Sequence, residues 1–316
     1  MPNKPDPKKI PPVTQARREP LPSQIPKHPA EDASAPQRIK AILDNASARR
    51  SDLDLDFIGS DPLRGVRLQL DYEKAELQLD AAGIRNTIVV FGSTRIGEPA
   101  AAQRTVATLQ AALKDEPSDH DLARRLAVAE RILDNARYYD VARAFGRLVA
   151  EANKTDTGPH CTIITGGGPG IMEAANRGAF DAGDKTVGLN ISLPHEQFPN
   201  PYITPGLCFN FHYFAMRKLH FLKRARALVA CPGGFGTFDE LFEALTLVQT
   251  RKIKPIPVVL VGESYWKGAV NMDHLAAEGV IAEEDKELFW YAETAEEAWN
   301  GILHWYDKSG QPLSAF

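Results

Sequence analysis

The sequence predicts a doubly wound α/β fold, a parallel sheet covered by helices on both faces, on three observations. Apolar, β-branched runs such as Ile88–Phe91 read as strands buried on both sides. They alternate with longer stretches of helical spacing, the pattern of a parallel sheet with crossover helices. Three strands also end in small-residue turns: "FGSTR" (Phe91–Arg95), "TGGGPG" (Thr165–Gly170) and "PGGFGT" (Pro232–Thr237). The carboxyl ends of strands in such sheets line the crevice where ligands bind. The expected architecture is Rossmann-like.

In chain order, "NTIVVFGSTRIG" opens the core with the first strand, and helical stretches follow over roughly Ala100–Lys114 and Asp121–Asn153. "CTIIT" is the second strand and "IMEAANRGAFDAG" its helix; "TVGLNISLP" is the third strand. "MRKLHFLKRA" is a helix, "ALVACPGG" the fourth strand and "TFDELFEALTLVQ" its helix. "PIPVVLVG" is the fifth strand, and "TAEEAWNGILHWYDK" closes the chain as a helix. Ahead of this core, residues 1–36 hold ten of the 23 prolines, interleaved with lysine and arginine. Such a stretch buries too little apolar surface to offset its ordering entropy and reads as a disordered tail. Residues 37–82, with "PQRIKAILDNASARR" and "LQLDYEKAELQL", read as a helical extension that packs on the main domain or on another subunit. Residues 83–316 form the main domain.

Composition narrows the function. The chain has 316 residues, 43% hydrophobic and 25% charged, which suits a globular protein with a sizeable core. A net charge of −4 and a pI near 6.1 argue against a nucleic-acid partner, which would call for a basic face. Cys161, Cys208 and Cys231 show no CxxC or metal-ligand spacing; they read as small hydrophobes in a reducing compartment, with the cytoplasm as default. No run approaches the ~18 apolar residues of a membrane span, and "MPNKPDPKK" lacks the apolar core of a signal peptide. The histidines have no HExxH or similar spacing, so no metal site is assigned; His195, His212 and His220 read as surface or loop residues.

The glycine turns point to an anion. Glycine lets backbone N–H groups approach a ligand closely, and the helix N-terminus that follows favours negative charge. Glycines also make tight βα turns with no ligand at all, but two such turns, with Thr237 able to donate from a first helical turn, favour a phosphate. No GxGxxG follows the first strand and no GxxxxGK[ST] occurs, so a dinucleotide is the weaker reading and a smaller phosphorylated ligand fits better. With a helix starting near Thr237, Glu240 lies on its first turn, where the dipole favours the ionised form. Thr237 and Glu240 also have capping-box spacing, the bland account of that glutamate. Asp239 reads as solvated. Arg217 and Lys218 open a helix, the wrong end for cations, and need an anionic partner, either a phosphate or a carboxylate such as Glu240. Lys223, Arg224 and Arg226 read as solvated charges, and Phe221 as core.

"PGGFGTFDE" matches PGGxGTxxE, and "MRK" some fifteen residues upstream matches its companion motif. With "GGGPGIMEAANRGA" and "VVFGSTRIG", they resemble the LONELY GUY (LOG) family of cytokinin-activating phosphoribohydrolases, long labelled lysine decarboxylases. The likeness spans about Asn86–Gly262; the long N-terminal part and "FGSTR" resemble the longer bacterial branch. The resemblance implies hydrolysis of the N-glycosidic bond of a nucleoside 5′-monophosphate to free base and ribose 5-phosphate, with no metal or organic cofactor. It implies Glu240 as the carboxylate that stabilises an oxocarbenium-like state and handles the attacking water. Arg217, which cannot lose its proton, would orient Glu240 and neutralise the substrate. Gly233, Gly234, Gly236 and Thr237 would hold the phosphate, together with the "GGG" glycines Gly167 and Gly168 on the substrate side. Ser93 would face phosphate and ribose, Glu173 the base or ribose, and Lys218 would serve as a second cation. Many members have TLEE where this chain has "TFDE"; position 240 keeps its glutamate.

Three other readings compete. A lysine decarboxylase needs a lysine for the Schiff base and an acid for the pyridine nitrogen, and no segment presents that pair. A non-catalytic binder or carrier of a nucleotide-like ligand, as in molybdenum-cofactor carriers, would keep the glycine turns without needing both Arg217 and Glu240. A scaffold built on the proline-rich tail would leave the core motifs without a purpose. The resemblance also implies a homo-oligomer, dimer or hexamer, so sedimentation at micromolar concentration is expected to give more than the monomer mass, and a monomer would end that expectation.

Overall fold

A computed structural model of the protein describes residues 19–155, 158–194 and 198–314. The chain divides into two compact units, Met1–Arg67 and Leu68–Phe316. In the first, the described residues form the helices α1 (Ala35–Leu43) and α2 (Leu55–Gly59) and the start of α3 (Arg64–Ala81). Asp54 caps α2 by accepting from the amide of Phe57. Of the proline-rich segment, residues 1–18 lie outside the described residues, and Pro22–Gln24 form one 3-10 turn.

The second unit is built on seven parallel strands: β1 (Asn86–Phe91), β2 (Cys161–Thr165), β3 (Thr186–Ile191), β4 (Cys208–Phe211), β5 (Ala225–Ala230), β6 (Val258–Val261) and β7 (Trp290–Ala292). Their order across the sheet is β4-β3-β2-β1-β5-β6-β7. The order therefore reverses between β1 and β5, so this is the doubly wound, Rossmann-like arrangement with its switch point at that pair. The strand side chains explain why both faces are covered. Ile88 and Val90 enter one apolar cluster, while Val89 and Phe91 enter the other, and β5 and β6 divide in the same way. The first cluster is closed by α6 (Arg137–Ala152), α7 (Ile171–Asp181) and α12 (Ala295–Ser309). The second is closed by the α3 residues Ala75 and Leu79, by α8 (Phe214–Lys223), α9 (Phe235–Gln249) and α10 (Glu263–Ala269).

Some elements differ from the sequence expectation. The stretch Asp121–Asn153 is two helices, α5 (His120–Asn135) and α6, because the Ala136 amide bonds to Leu133 O and ends the α pattern. This turn frees α5 to pair with α4 (Pro99–Asp115) while α6 lies against α7. The edge strands β4 and β7, with four and three residues, are too short for a pattern to register, as is α11 (Met272–Ala277). Buried Cys161 and Cys231 behave as the hydrophobes expected, with burial pushing their thiols up to about 12, whereas Cys208 is exposed on β4. No helix among the described residues is long and apolar enough to cross a membrane.

The pairing of α6 with α7 is a backbone-to-backbone contact. A Cβ on Gly178 would lie 1.9 Å from Arg143 O, and one on Gly146 would lie 2.2 Å from Ala175 O. No side chain can give way there, since the obstructing atoms are main chain. Gly178→Ala is expected to cost about 1–3 kcal/mol, read as a lower urea midpoint with unchanged slope.

Candidate functional site

A cavity of about 570 Å³ opens where the sheet order reverses, above the carboxyl ends of β1 and β5. Its floor is the turn Gly92–Arg95 after β1; its far wall is the start of α9, Gly234–Thr237. Two links fasten these walls. Ser93 donates its amide to Pro232 O at 2.9 Å, and its carbonyl accepts from the Ile171 amide at the start of α7 at 3.1 Å. The second link requires Gly170, whose φ of +74° and close approach to Ser93 O leave no place for a Cβ. Met172, Ile191, Leu193 and Phe214 make an apolar side to the same cavity.

The N-cap of α9 is Gly234, and its carbonyl accepts from the amides of Thr237 and Phe238. The amides of Phe235 and Gly236, on the first turn, have no acceptor within the helix and lie at the cavity. The helix therefore begins two residues earlier than the sequence suggested. Thr237 sits at the third helical position and Glu240 at the sixth, so no capping box forms between them. Thr237 instead backs onto Gly233, where a Cβ would meet its hydroxyl oxygen at 2.1 Å. Tyr265 donates its hydroxyl to Gly233 O from α10 and pins the turn. Phe235 is 97% exposed on the lip.

Glu240 reaches the cavity from one turn deeper and is only 6% exposed. Its Oε1 lies 3.5 Å from Nη2 of Arg217 on α8, and its Oε2 lies 3.9 Å from Nζ of Lys218. Burial pushes the Glu240 carboxyl up to about 7, against the pull of Lys218 and Arg217 and with the help of Glu243 and Asp239. Burial also pushes the Arg217 guanidinium down, with Glu240 and Asp239 opposing. Desolvation thus outweighs attraction for both members of this pair, as its long separation leads one to expect. The guanidinium stays charged, lies 4.9 Å from the Phe214 ring centre, and keeps a buried Nε with no hydrogen-bond partner.

Of the residues singled out in the sequence, the cavity gathers Ser93, Arg217, Gly234, Gly236, Thr237 and Glu240. Lys218 turns away, to Asp239 at 2.9 Å and Glu243 at 2.8 Å, so Asp239 is ion-paired as well as solvated. Glu173 accepts from Tyr139 OH at 2.9 Å and does not line the cavity. Gly167 and Gly168 are bonded to Asn200 through their carbonyls, behind Gly166, which does line it. Arg95, at the end of the "FGSTR" turn, lines the cavity and carried no role in the sequence reading, although the turn itself marked it. His220 was expected at the surface and is 1% exposed, packed between the rings of Tyr72 and Phe211; His212 is exposed, and His195 lies outside the described residues. Arg224, expected to be solvated, is buried and paired with Glu76 and Asp80. No group of three His, Cys, Asp or Glu suited to a metal occurs among the described residues. A groove of about 750 Å³ on the other side of Lys218 is larger; of its cations, Lys218, Lys223 and Arg224 are paired with carboxylates, Arg226 bonds to Asn86 and Lys254 is exposed.

The raised carboxyl has a thermodynamic signature. Between about 4.5 and 7 the folded chain holds a proton on Glu240 that the unfolded chain has released, so this group's contribution to stability falls as pH rises through that window. Glu240→Gln removes the titration, so its stability relative to the unsubstituted protein is expected to improve from about pH 5 to about pH 8, by up to about 3 kcal/mol. Urea midpoints at the two pH values measure it, and an unchanged difference would mean that Glu240 titrates normally.

The model of a family described as "possible lysine decarboxylase" matches residues 172–302. None of the described residues lining the cavity is a lysine, so that label finds no Schiff-base group at this site. Among curated proteins, the chain is 28% identical over 166 residues to the cytokinin riboside 5′-monophosphate phosphoribohydrolase LOG of Oryza sativa subsp. japonica, covering 51% of this chain and 64% of that protein. It is 29% identical over 165 residues to the phosphoribohydrolase LOG3 of Arabidopsis thaliana, covering 51% and 72%. The match therefore spans just under two thirds of the rice protein's length. The molybdenum cofactor binding protein of Rippkaea orientalis overlaps at a TM-score of 0.37 and 20% identity, over 53% of this chain and 86% of that one, too loosely to bear on function. By the paired motifs that build the cavity and by these sequence matches, the chain is similar to proteins of the LONELY GUY (LOG) family.

Proposed function

We propose that the protein hydrolyses the N-glycosidic bond of nucleoside 5′-monophosphates, AMP or a cytokinin riboside monophosphate, to free base and ribose 5-phosphate. One observation carries the reading: a buried carboxylate, Glu240, stands beside Arg217 in the same cavity as the unpaired first-turn amides of α9. A 5′-phosphate on those amides would be held by the backbone and the helix dipole. Arg217 supplies further positive charge at the cavity wall. The names of the relatives, which specify riboside 5′-monophosphates, agree with such a ligand.

In the proposed reaction the bond from C1′ to the base nitrogen breaks, its electrons leave with the base, and positive charge builds on C1′ and the ring oxygen. Ionised Glu240, itself only 6% exposed, stabilises that charge, and a desolvated carboxylate interacts strongly with it. It then takes a proton from the water that adds to C1′, while the departing base gains one proton, so the products differ from the substrates by one water split between them. Arg217 acts through charge and position. The apolar side made by Met172, Ile191, Leu193 and Phe214 is the natural place for the base.

The test is release of base and ribose 5-phosphate from a panel of AMP, GMP, CMP, UMP and isopentenyladenosine monophosphate. Turnover of at least one, reduced about 10²-fold or more in Glu240→Gln, is the expected result. Binding of AMP without turnover would instead make the protein a binder of nucleotide-like ligands. Because the ionised form is the active one, kcat/KM is expected to rise with pH through about 7, where the free protein's Glu240 titrates. A flat profile between about pH 5.5 and pH 8 would remove Glu240 from that role.

A further inference from the structure

The charge and position of α8 are set from outside the cavity. Asp71, on the part of α3 within the second unit, accepts from the amides of His212 and Tyr213 through one oxygen, both at 2.8 Å. Tyr213 is the N-cap of α8 and its side chain makes no capping hydrogen bond. Asp71 therefore does from another helix what an N-cap side chain does locally, with a full negative charge at the positive end of the dipole. From the next residue of α3, the Tyr72 carbonyl meets Nε2 of His220 at 3.2 Å. Glu76 takes Nη1 of Arg224 at 2.7 Å and Nζ of Lys223 at 2.7 Å, and Asp80 takes Nη2 of Arg224 at 2.7 Å. Burial opposes the Glu76 charge, yet the hydrogen bonds from Arg224 and Lys223 hold its carboxyl down at about 2. The far end of α8 is thus anchored by ion pairs and the near end by Asp71. Arg217 lies one turn from the near end, its amide bonded to Tyr213 O.

We propose that Asp71 is a positioning residue for the candidate site: by fixing the first turn of α8 it sets the distance between Arg217 and Glu240. The contact between those two is long and Arg217 Nε has no partner; the other supports of the guanidinium are the rings of Phe214 and Phe221, 4.9 and 5.6 Å away on α8 itself, so its place follows that helix. Without Asp71, two amides lose their acceptor and the first turn, which carries the half-exposed Phe214, can fray. Fraying carries Arg217 away from Glu240. The charged groups that face Glu240 are Arg217 and Lys218 from α8 and Asp239 and Glu243 from its own helix, with Arg95 on the cavity floor. Loss of the Arg217 contribution leaves burial and the two acids less opposed, and the carboxyl titrates higher.

The experiment reads the Glu240 titration directly, by carbon-13 NMR of glutamate-labelled protein with the resonance identified by its loss in Glu240→Gln. Asp71→Ala is expected to move that titration upward by about half a unit or more, and Asp71→Asn, which keeps an acceptor oxygen, to move it less. Gly178→Ala, destabilised at a distant helix contact, is expected to leave it in place. The kinetic arm rests on the hydrolytic reading: there kcat should fall about tenfold in Asp71→Ala, with the acid limb of kcat/KM displaced in the same direction as the NMR titration. If the unsubstituted protein turns over no monophosphate, the hydrolytic reading fails and the NMR arm still decides on Asp71. If Asp71→Ala shifts the titration no more than Gly178→Ala does, Asp71 is a structural cap only and the proposal is overturned. Should Asp71→Ala fail to fold, Asp71→Glu, which keeps the charge but extends it by one methylene, carries the same comparison.

Discussion

The candidate site depends on a carboxylate that the fold desolvates more than it compensates. Glu240 is held where water barely reaches it, and its cations stand at 3.5 and 3.9 Å instead of in close hydrogen-bonded contact. A tight, bidentate arginine pair would have fixed the charge and left nothing for a ligand to do. A longer pair leaves the buried Nε of Arg217 without a partner and Glu240 near the midpoint of its titration at neutral pH.

That arrangement exists because three separate elements meet at one edge of the sheet. Parallel order places the ends of β1 and β5 side by side, although some 130 residues of sequence separate them, and the reversal of strand order there opens the crevice. The β1 turn then bonds to both the β5 turn and the start of α7, so two glycine-rich loops share one hydrogen-bonded frame. α8 brings Arg217 in from the side. Its helix is held by three acids of α3, Asp71, Glu76 and Asp80, a contact between segments roughly 140 residues apart.

The sequence was legible wherever a physical requirement is local. Apolar runs ending in glycine had to be central strands, and the cations of "MRK" at the wrong end of a helix called for an anionic partner, which Glu240, Asp239 and Glu243 supply. Less was readable where the requirement comes from afar. The start of α9 was misjudged because its N-cap is Gly234, which leaves no side-chain signature, so Thr237 looked like the cap. Arg224 and His220 looked like surface residues because their partners, Glu76 and Tyr72, lie about 150 residues away. Likewise Glu173 and Lys218, next to recognisable motifs, are engaged by Tyr139 and by Asp239 with Glu243, contacts that motif spacing does not encode. Edge strands escaped because runs of three and four residues are too short for an alternation to stand out from the loops around them.

The main-chain contact between α6 and α7 has a mechanical consequence for the cavity. With Gly178 and Gly146 seated on carbonyl oxygens, those helices have no slack, and α7 in turn fixes the loop that receives the β1 turn. The opposite side is built differently: Phe235 stands in solvent, Gly234 and Gly236 flank it, and Phe214 is half out. The crevice therefore has one jaw locked main chain to main chain and one held by side chains, Asp71 at the start of α8 and Tyr265 at the turn before α9, and the second jaw carries the charges.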